Sequence, residues 1–201
     1  MATRRSSYLE TEIKLRIDDL AVLIRKITRL RAHCSGRVLE LNALFDTPNQ
    51  DFCRRGRLLR VRIETPARSA FMPGGPARTL ITSKSPVPAS AASRYKEKLE
   101  RELVIRSPRD WLASLKSLGL QPGFRYEKFR TTFRLPGLHL DLDETPVGIY
   151  LELEGTPKSI DRIAKALRFS SREYIRSTYW DLNAAESRRR GRIPGNMLFR
   201  A

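Results

Sequence analysis

The segment Glu10-Thr11-Glu12-Ile13-Lys14 sets two carboxylates and an ammonium at alternate positions. Side chains of a strand alternate between faces, so Glu10, Glu12 and Lys14 project from one side and Thr11 and Ile13 from the other. Two acids beside a base can hold a divalent cation and a phosphate at once, since hard divalent ions take oxygen ligands and an ammonium is a compact point charge. A solvated strand would alternate in the same way. The decision therefore rests on whether the pattern recurs.

It recurs along the whole chain. One parity carries Arg60, Arg62 and Glu64, then Lys84, then Lys98, Glu100 and Glu102, then Lys128, Arg130 and Arg134, then Asp141 and Asp143, and finally Glu152 and Glu154. The opposite parity carries Leu59, Val61 and Ile63, Leu99 and Leu103, Phe129 and Phe133, Leu140 and Leu142, Leu151 and Leu153. An open antiparallel sheet with one wet face also alternates, but Thr, Ser and Gln normally share such a face and are scarce here. A closed barrel with the charged parity inward and helices over its apolar outside fits better and leaves no unpaired edge. Charges in such a cavity are costly unless paired or ligated, so acids must sit opposite bases or around a metal.

The elements that position these residues fall into two similar cycles. Residues 8–17 read as a strand, followed by a helix from Asp18 or Asp19 to Arg31 with an apolar stripe of Leu20, Leu23, Ile24, Ile27 and Leu30. Strands follow at Val38–Asp46, Arg57–Glu64 and Thr79–Lys84, with Pro- and Gly-rich loops at 65–78 and 85–94. The second cycle opens with a strand at Tyr95–Arg106. A helix then starts at Ser107-Pro108, shows Trp111, Leu112, Leu115 and Leu118 on one face, and stops at Gly119. Strands at Tyr126–Leu135, Leu138–Asp143 and Ile149–Glu154, a helix at Ser159–Leu167 and a short helix or turn at Ser171–Leu182 complete it. Glu10 to Arg16 aligns with Glu100 to Arg106, which suggests two half-barrels of one plan. Residues 1–186 are expected to form one domain and 187–201 a basic, disordered tail.

Composition narrows the class. A chain of 201 residues with 40% hydrophobic and 30% charged residues suits a globular domain with a sizeable core. No apolar stretch is long enough to span a bilayer, and residues 1–5 do not lead into a signal-peptide core. Cys34 and Cys53 lack the neighbours of a zinc site or a disulfide framework, which points to a reducing, cytoplasmic setting. The net charge of +17, from 39 Lys and Arg against 22 Asp and Glu, favours polyanionic partners. The clusters Arg54-Arg55-Gly56-Arg57 and Arg188–Arg192 lack the interleaved aromatics of a single-strand binding surface, which argues against nucleic acid. Nothing in the sequence fixes the oligomeric state; a homodimer stays open.

Glu10-x-Glu12-x-Lys14 resembles the ExExK signature of the CYTH superfamily, the triphosphate tunnel metalloenzymes. Leu44-Phe45-Asp46-Thr47-Pro48, Leu59-Arg60-Val61-Arg62, Thr82-Ser83-Lys84 and Lys98-Leu99-Glu100-Arg101-Glu102 are similar to further parts of that pattern. So are Lys128-Phe129-Arg130, Asp143-Glu144-Thr145-Pro146-Val147-Gly148 and Glu152-Leu153-Glu154, all in order between Tyr8 and Leu182. The resemblance implies an α+β fold: a closed eight-stranded antiparallel β-barrel with a charged interior and helices packed outside, binding a triphosphate compound with Mg²⁺ or Mn²⁺. Lys14, Arg60, Arg62, Lys84, Lys98, Lys128, Arg130 and Arg134 would then hold phosphate; Lys98 stands where the family more often has Arg. Glu10, Glu12, Glu100, Glu102, Asp143, Glu152 and Glu154 would hold metal or its surroundings, with Glu10, Glu12 and Lys14 nearest the chemistry. Glu64 and Asp141 read as neutralisers of neighbouring arginines, His33 and His139 as structural or surface residues, and Tyr179 matches a family tyrosine of uncertain role.

Three activities fit this reading. A triphosphatase acting on inorganic or organic triphosphate needs only cations, metal and water. A class IV type adenylate cyclase needs in addition a pocket for adenine, which no segment clearly supplies. A noncatalytic binder of polyphosphate or nucleic acid fits the net charge but gains nothing from acids in its groove.

Overall fold

In a computed structural model, residues 7–67, 75–88 and 93–200 are described. Residues 1–5 and the central parts of the loops expected at 65–78 and 85–94 lie outside them. The strands are β1 (Tyr8–Ile17), β2 (His33–Asp46), β3 (Leu58–Pro66), β4 (Arg78–Pro86), β5 (Lys96–Ile105), β6 (Gln121–Leu135), β7 (Leu138–Thr145) and β8 (Gly148–Gly155). They close into an antiparallel barrel in the ring order β1-β5-β4-β3-β2-β6-β7-β8. The helices are α1 (Leu20–Arg29), the short α2 (Asp51–Arg54), α3 (Pro108–Ser117), α4 (Pro157–Ala166) and α5 (Tyr179–Arg189). None among the described residues is long and apolar enough to cross a membrane.

The ring order gives the internal echo a physical form. Exchanging β1 with β5, β2 with β6, β3 with β7 and β4 with β8 returns the same ring read in the opposite direction. The two Glu-x-Glu strands, β1 and β5, are neighbours in it, with Glu10 opposite Lys98 and Glu12 opposite Lys96. On its other side β1 sets Glu12 opposite Glu154 and Lys14 opposite Glu152.

Both faces of the key strands are buried, for different reasons. Glu10, Glu12, Lys14, Arg60, Arg62, Lys128, Asp143 and Glu152 are shielded inside the barrel, while Ile13, Leu15, Leu140, Leu151 and Leu153 are covered from outside. That cover is α1 and α4, which press Leu23, Ile27, Ile160, Ile163 and Ala164 onto the outer face of β1, β7 and β8. Each fully buried Leu or Ile there stabilises the fold by about 1.5–3 kcal/mol. The Asp19 carboxylate accepts the Val22 N–H at 2.8 Å and caps α1. Pro157 takes the first turn of α4, and the Thr156 hydroxyl accepts the Ser159 N–H at 3.2 Å.

Three expectations change. First, α3 buries only Leu115, over a patch of Phe45, Val61, Ile81 and Ile105; Trp111, Leu112 and Leu118 stay 40%, 41% and 74% exposed. Second, β2 begins at His33 rather than Val38 and β6 at Gln121 rather than Tyr126, so the barrel walls are longer than the alternation suggested. Third, the segment after Glu186 is not disordered. Met197 donates its N–H to the Arg125 carbonyl and accepts the Glu127 N–H, both at 2.9 Å, adding a short parallel pairing beside β6. Its side chain is 1% exposed among Tyr126, Tyr150 and Tyr179, and Asn183 Nδ2 donates to the Gly195 carbonyl at 2.7 Å. A basic composition reads as solvated, and one buried methionine with a few backbone hydrogen bonds overrides it.

Met197→Ala should therefore destabilise the protein by about 2–5 kcal/mol, the usual range for emptying a buried methionine site. Urea denaturation checks this; a change below about 0.5 kcal/mol, normal for exposed positions, would return the segment to a solvated tail.

Candidate active site: a charged tunnel

The inward parity of the strands surrounds a cavity of about 580 Å³ in which roughly as many Asp and Glu as Lys and Arg line the wall. The barrel order sorts these charges. β8, β1 and β5 are contiguous and supply the acids Glu152, Glu154, Glu10, Glu12, Glu100 and Glu102. Across the barrel, β3 and β6 supply Arg60, Arg62, Lys128 and Arg130. Lys84 on β4 and Lys96 on β5 stand against the acidic wall.

Most interior carboxylates are paired with a cation; Glu102 and Glu154 are not, among the described residues. Lys84 Nζ lies 2.6 Å from both Glu10 and Glu100, and Lys96 Nζ lies 2.6 Å from Glu12. Lys14 Nζ lies 3.1 Å from Glu12 and 3.1 Å from Glu152. On the basic wall, Lys128 reaches Asp143 at 2.7 Å, and Arg130 reaches Asp143 at 2.6 Å and Asp141 at 2.9 Å. Arg60 differs: its guanidinium donates to Tyr126 Oη at 3.4 Å and Thr82 Oγ1 at 3.1 Å, and its buried Nε has no acceptor among the described residues. Of the interior arginines, it is thus the one with no carboxylate partner among the described residues.

The inner end has an aromatic floor. The Thr178 hydroxyl and the Asp181 carboxylate form a capping box at the start of α5, which fixes Tyr179 as its first residue. Tyr179 Oη donates to Asp143 Oδ2 at 2.5 Å, and its ring lies 4.8 Å from Lys128 Nζ and 5.4 Å from Lys14 Nζ. Tyr126 stands beside it at 5.8 Å between ring centroids, backed by Tyr150 and Met197.

The electrostatics divide the acids into two groups. Burial alone would raise Glu12, but Lys14 and Lys96 hold its carboxyl far below the usual range; Lys14 and Arg130 do the same for Glu152. Burial pushes Glu10 up to about 7 against the pull of Lys84, and burial together with Glu10 pushes Glu154 up to about 8. The acidic wall is thus short of positive charge. Among the described residues no three Asp, Glu, His or Cys side chains converge in a metal-binding arrangement, because the lysines hold them. The donor set is nonetheless hard carboxylate oxygen, the type Mg²⁺ and Mn²⁺ accept, and a divalent cation would supply the charge that Glu10 and Glu154 lack.

Most of the residues singled out by spacing meet in this cavity: Glu10, Glu12, Lys14, Arg60, Arg62, Lys84, Glu100, Glu102, Lys128, Arg130, Glu152 and Glu154 all line it. Four are placed differently from the rest. Lys98 lies outside the lining and donates to the Gly56 carbonyl at 2.9 Å. Arg134 is exposed at the mouth, near His139. Glu102 is held by the Thr82 hydroxyl at 3.3 Å, and Asp143 sits fully buried behind the lining, committed to Lys128, Arg130 and Tyr179. As expected, Glu64 and Asp141 pair with arginines, at 2.5 Å to Arg78 and 2.9 Å to Arg130. Spacing missed Glu40, Lys96, Arg78 and Tyr126. Lys96 shares the parity of Lys98 and Glu100 and lies within the strand read from Tyr95, so carrying the charged parity one position further back would have found it. Glu40 is a single charged residue on a strand whose inward positions do not otherwise alternate in charge, and Tyr126 shares the parity of Lys128 and Arg130 but carries no charge to mark it.

An antiparallel eight-stranded tunnel with opposed acidic and basic walls defines the class, and the CYTH domain model matches residues 9–179. The chain belongs to the CYTH domain family. Solved structures share the fold. The PH1012 protein of Pyrococcus horikoshii is 22% identical with a TM-score of 0.66, covering 86% of this chain and 98% of that one. An adenylate cyclase candidate from Vibrio parahaemolyticus is 17% identical with a TM-score of 0.68, covering 88% and 98%. HpAC1 of Hippeastrum, whose description gives an adenylyl cyclase name and a dominant triphosphatase activity, is 18% identical with a TM-score of 0.56, covering 92% and 97%. No curated protein matches the chain by sequence.

The raised carboxyls predict a pH signature. Their folded-state values lie above the ordinary 4.5, so the stability they contribute is complete below that pH and is lost as pH rises through about 7 and about 8. Glu12 and Glu152 act in the opposite sense, and their contribution is lost only on acidification below the ordinary carboxyl range. In EDTA the Tm should therefore fall between pH 6 and pH 9, and Glu154→Gln should flatten that fall. Differential scanning fluorimetry across the range checks it; an identical slope in the variant contradicts the assignment.

Proposed function

We propose that this chain is a divalent-metal-dependent phosphohydrolase acting on inorganic triphosphate or on an organic or nucleoside triphosphate held in the tunnel. The observation that carries the reading is the facing of an acidic wall and a basic wall across one cavity with an aromatic floor. A triphosphate carries about four negative charges, and the bases here are nearly all matched by acids, so the anion needs further cations to enter. Glu10, Glu12, Glu152 and Glu154 would hold Mg²⁺ or Mn²⁺, which when bound neutralises charge developing on the phosphoryl oxygens.

The chain's own residues do the rest. Arg60, with its open Nε, and Arg62, Lys128 and Arg130 grip phosphate oxygens; an arginine can fork two of them at once. Lys14, on the acidic wall between Glu12 and Glu152 and over the Tyr179 ring that Lys128 also faces, steadies the phosphoryl group being transferred. Water oriented by Glu10, Glu12 or a second carboxylate of the metal site attacks the terminal phosphorus, the bridging P–O bond breaks, and the water's proton passes to a carboxylate of the acidic wall that the cation leaves free. The products are phosphate and the shortened diphosphate.

A class IV cyclase would use the same tunnel but direct a ribose oxygen at the α-phosphorus. The Hippeastrum protein, with its cyclase name and dominant triphosphatase activity, supports ranking hydrolysis first. A plain polyanion binder fits less well: the wall charges nearly cancel, so the +17 of the chain resides mainly on the outer surface, at residues such as Arg25, Arg29, Arg162, Lys165 and Arg168.

Purified protein with Mg²⁺ or Mn²⁺ should release phosphate from tripolyphosphate, ATP or thiamine triphosphate. Cyclic AMP with pyrophosphate would establish the cyclase instead, and no turnover would leave a binder. The double variant Glu10→Ala, Glu12→Ala should keep its circular dichroism and lose at least ~100-fold in kcat/KM, the scale of acid–base catalysis; retained activity would sink the site.

A further inference from the structure

Glu40 is an interior acid to which the proposed reaction gives no role, and its setting is unusual. It is 0% exposed on β2, it lines the cavity, and neither carboxylate oxygen makes a directed hydrogen bond among the described residues. Three cations nevertheless surround it: Arg62 Nη1 at 2.8 Å, Lys128 Nζ at 3.5 Å and Arg130 Nε at 3.6 Å. Across β2–β3 it faces another acid, Glu64, and across β2–β6 it faces Lys128. A buried carboxylate without aligned donors, opposite a like charge, is a poor choice for stability alone. Its three cations are those of the basic wall.

We infer that Glu40 is a specificity-determining residue: a resident anion that competes for Arg62, Lys128 and Arg130 and so reserves the tunnel for metal-complexed triphosphate. A metal-free phosphate, diphosphate or triphosphate can reach these cations only by adding its charge beside the one already there. A triphosphate entering with divalent cations brings compensating charge and also engages the acidic wall, which a bare anion cannot. The same repulsion speeds loss of free phosphate after hydrolysis. Arg62, then Lys128 and Arg130, outweigh burial and hold the Glu40 carboxyl down to about 2, so the competing charge is present at any working pH. The inference rests on the tunnel being the triphosphate site proposed above.

The test reads binding rather than turnover. Isothermal titration of wild type and Glu40→Gln with tripolyphosphate in EDTA, and separately with inorganic phosphate, isolates the metal-free anions. Glu40→Gln keeps the side-chain shape and removes the charge, and it should bind metal-free tripolyphosphate at least tenfold more tightly than wild type, with phosphate tightening in parallel. Unchanged or weaker metal-free binding in the variant overturns the inference. Should Glu40→Gln lose its native circular dichroism, Glu40→Asp takes its place. That variant draws the charge back by one methylene, and severalfold tightening is expected, no change being the contrary result. Wild type that fails to bind tripolyphosphate even with Mg²⁺ would instead overturn the tunnel as the substrate site, a separate outcome.

Discussion

The mutual neutralisation of buried charges inside the barrel is the constraint on which the rest depends. An uncompensated ion in a protein interior is penalised by several kcal/mol, and the inward parity places many of them together. The fold meets this by registering strands so that most of the ammonium and guanidinium groups fall beside carboxylates, several of them between two. Lys14 lies between Glu12 and Glu152, Lys84 between Glu10 and Glu100, and Lys128 between Asp143 and Glu40. A slip of one residue in any strand would turn its charges into the helices and its leucines into the tunnel. Charge compensation therefore fixes the register as firmly as the apolar exterior does.

Compensation is incomplete in two places, and both matter for function. The acidic wall of β8, β1 and β5 keeps Glu10 and Glu154 short of positive charge, and the basic side keeps Arg60 with an open donor. On the proposed function, a polyanion with divalent cations would supply what each side lacks. The scaffold holds the walls apart at fixed positions: α1 and α4 clamp the outside of the acidic wall, while α5 and the segment around Met197 seat the tyrosines beneath the basic one. The site is preorganised because its walls are strands of a closed barrel rather than loops.

How much of this was legible depended on whether a residue belonged to a periodic run. Alternating charge over three or more positions, as in Glu10-x-Glu12-x-Lys14 or Lys128-x-Arg130, announces a strand and its inward face together, and the closed barrel and most of the wall followed from it. Glu40 stands alone between Val38 and Asn42, so nothing in its neighbourhood marks it as interior. Lys98 has the right parity but lies near the strand's end, where the side chain turns to the Gly56 carbonyl. The helix α3 shows a good apolar stripe, yet the outer patch beneath it admits only Leu115. The basic segment after Glu186 follows the same logic in reverse: its composition favours water, and its packing rests on Met197 and tertiary hydrogen bonds that no local pattern reveals.

The central claim is that anion and divalent cation occupy the two walls together, each relieving the charge the other would leave uncompensated. Binding of Mn²⁺, followed by electron paramagnetic resonance with and without a slowly hydrolysed triphosphate analogue, tests it most directly. Thermodynamic linkage requires the two effects to be equal: the analogue should tighten Mn²⁺ by the same factor by which Mn²⁺ tightens the analogue, at least fivefold for a coupling of about 1 kcal/mol. Independent binding, with a factor near one once Mn²⁺–analogue association in solution is subtracted, would contradict the account.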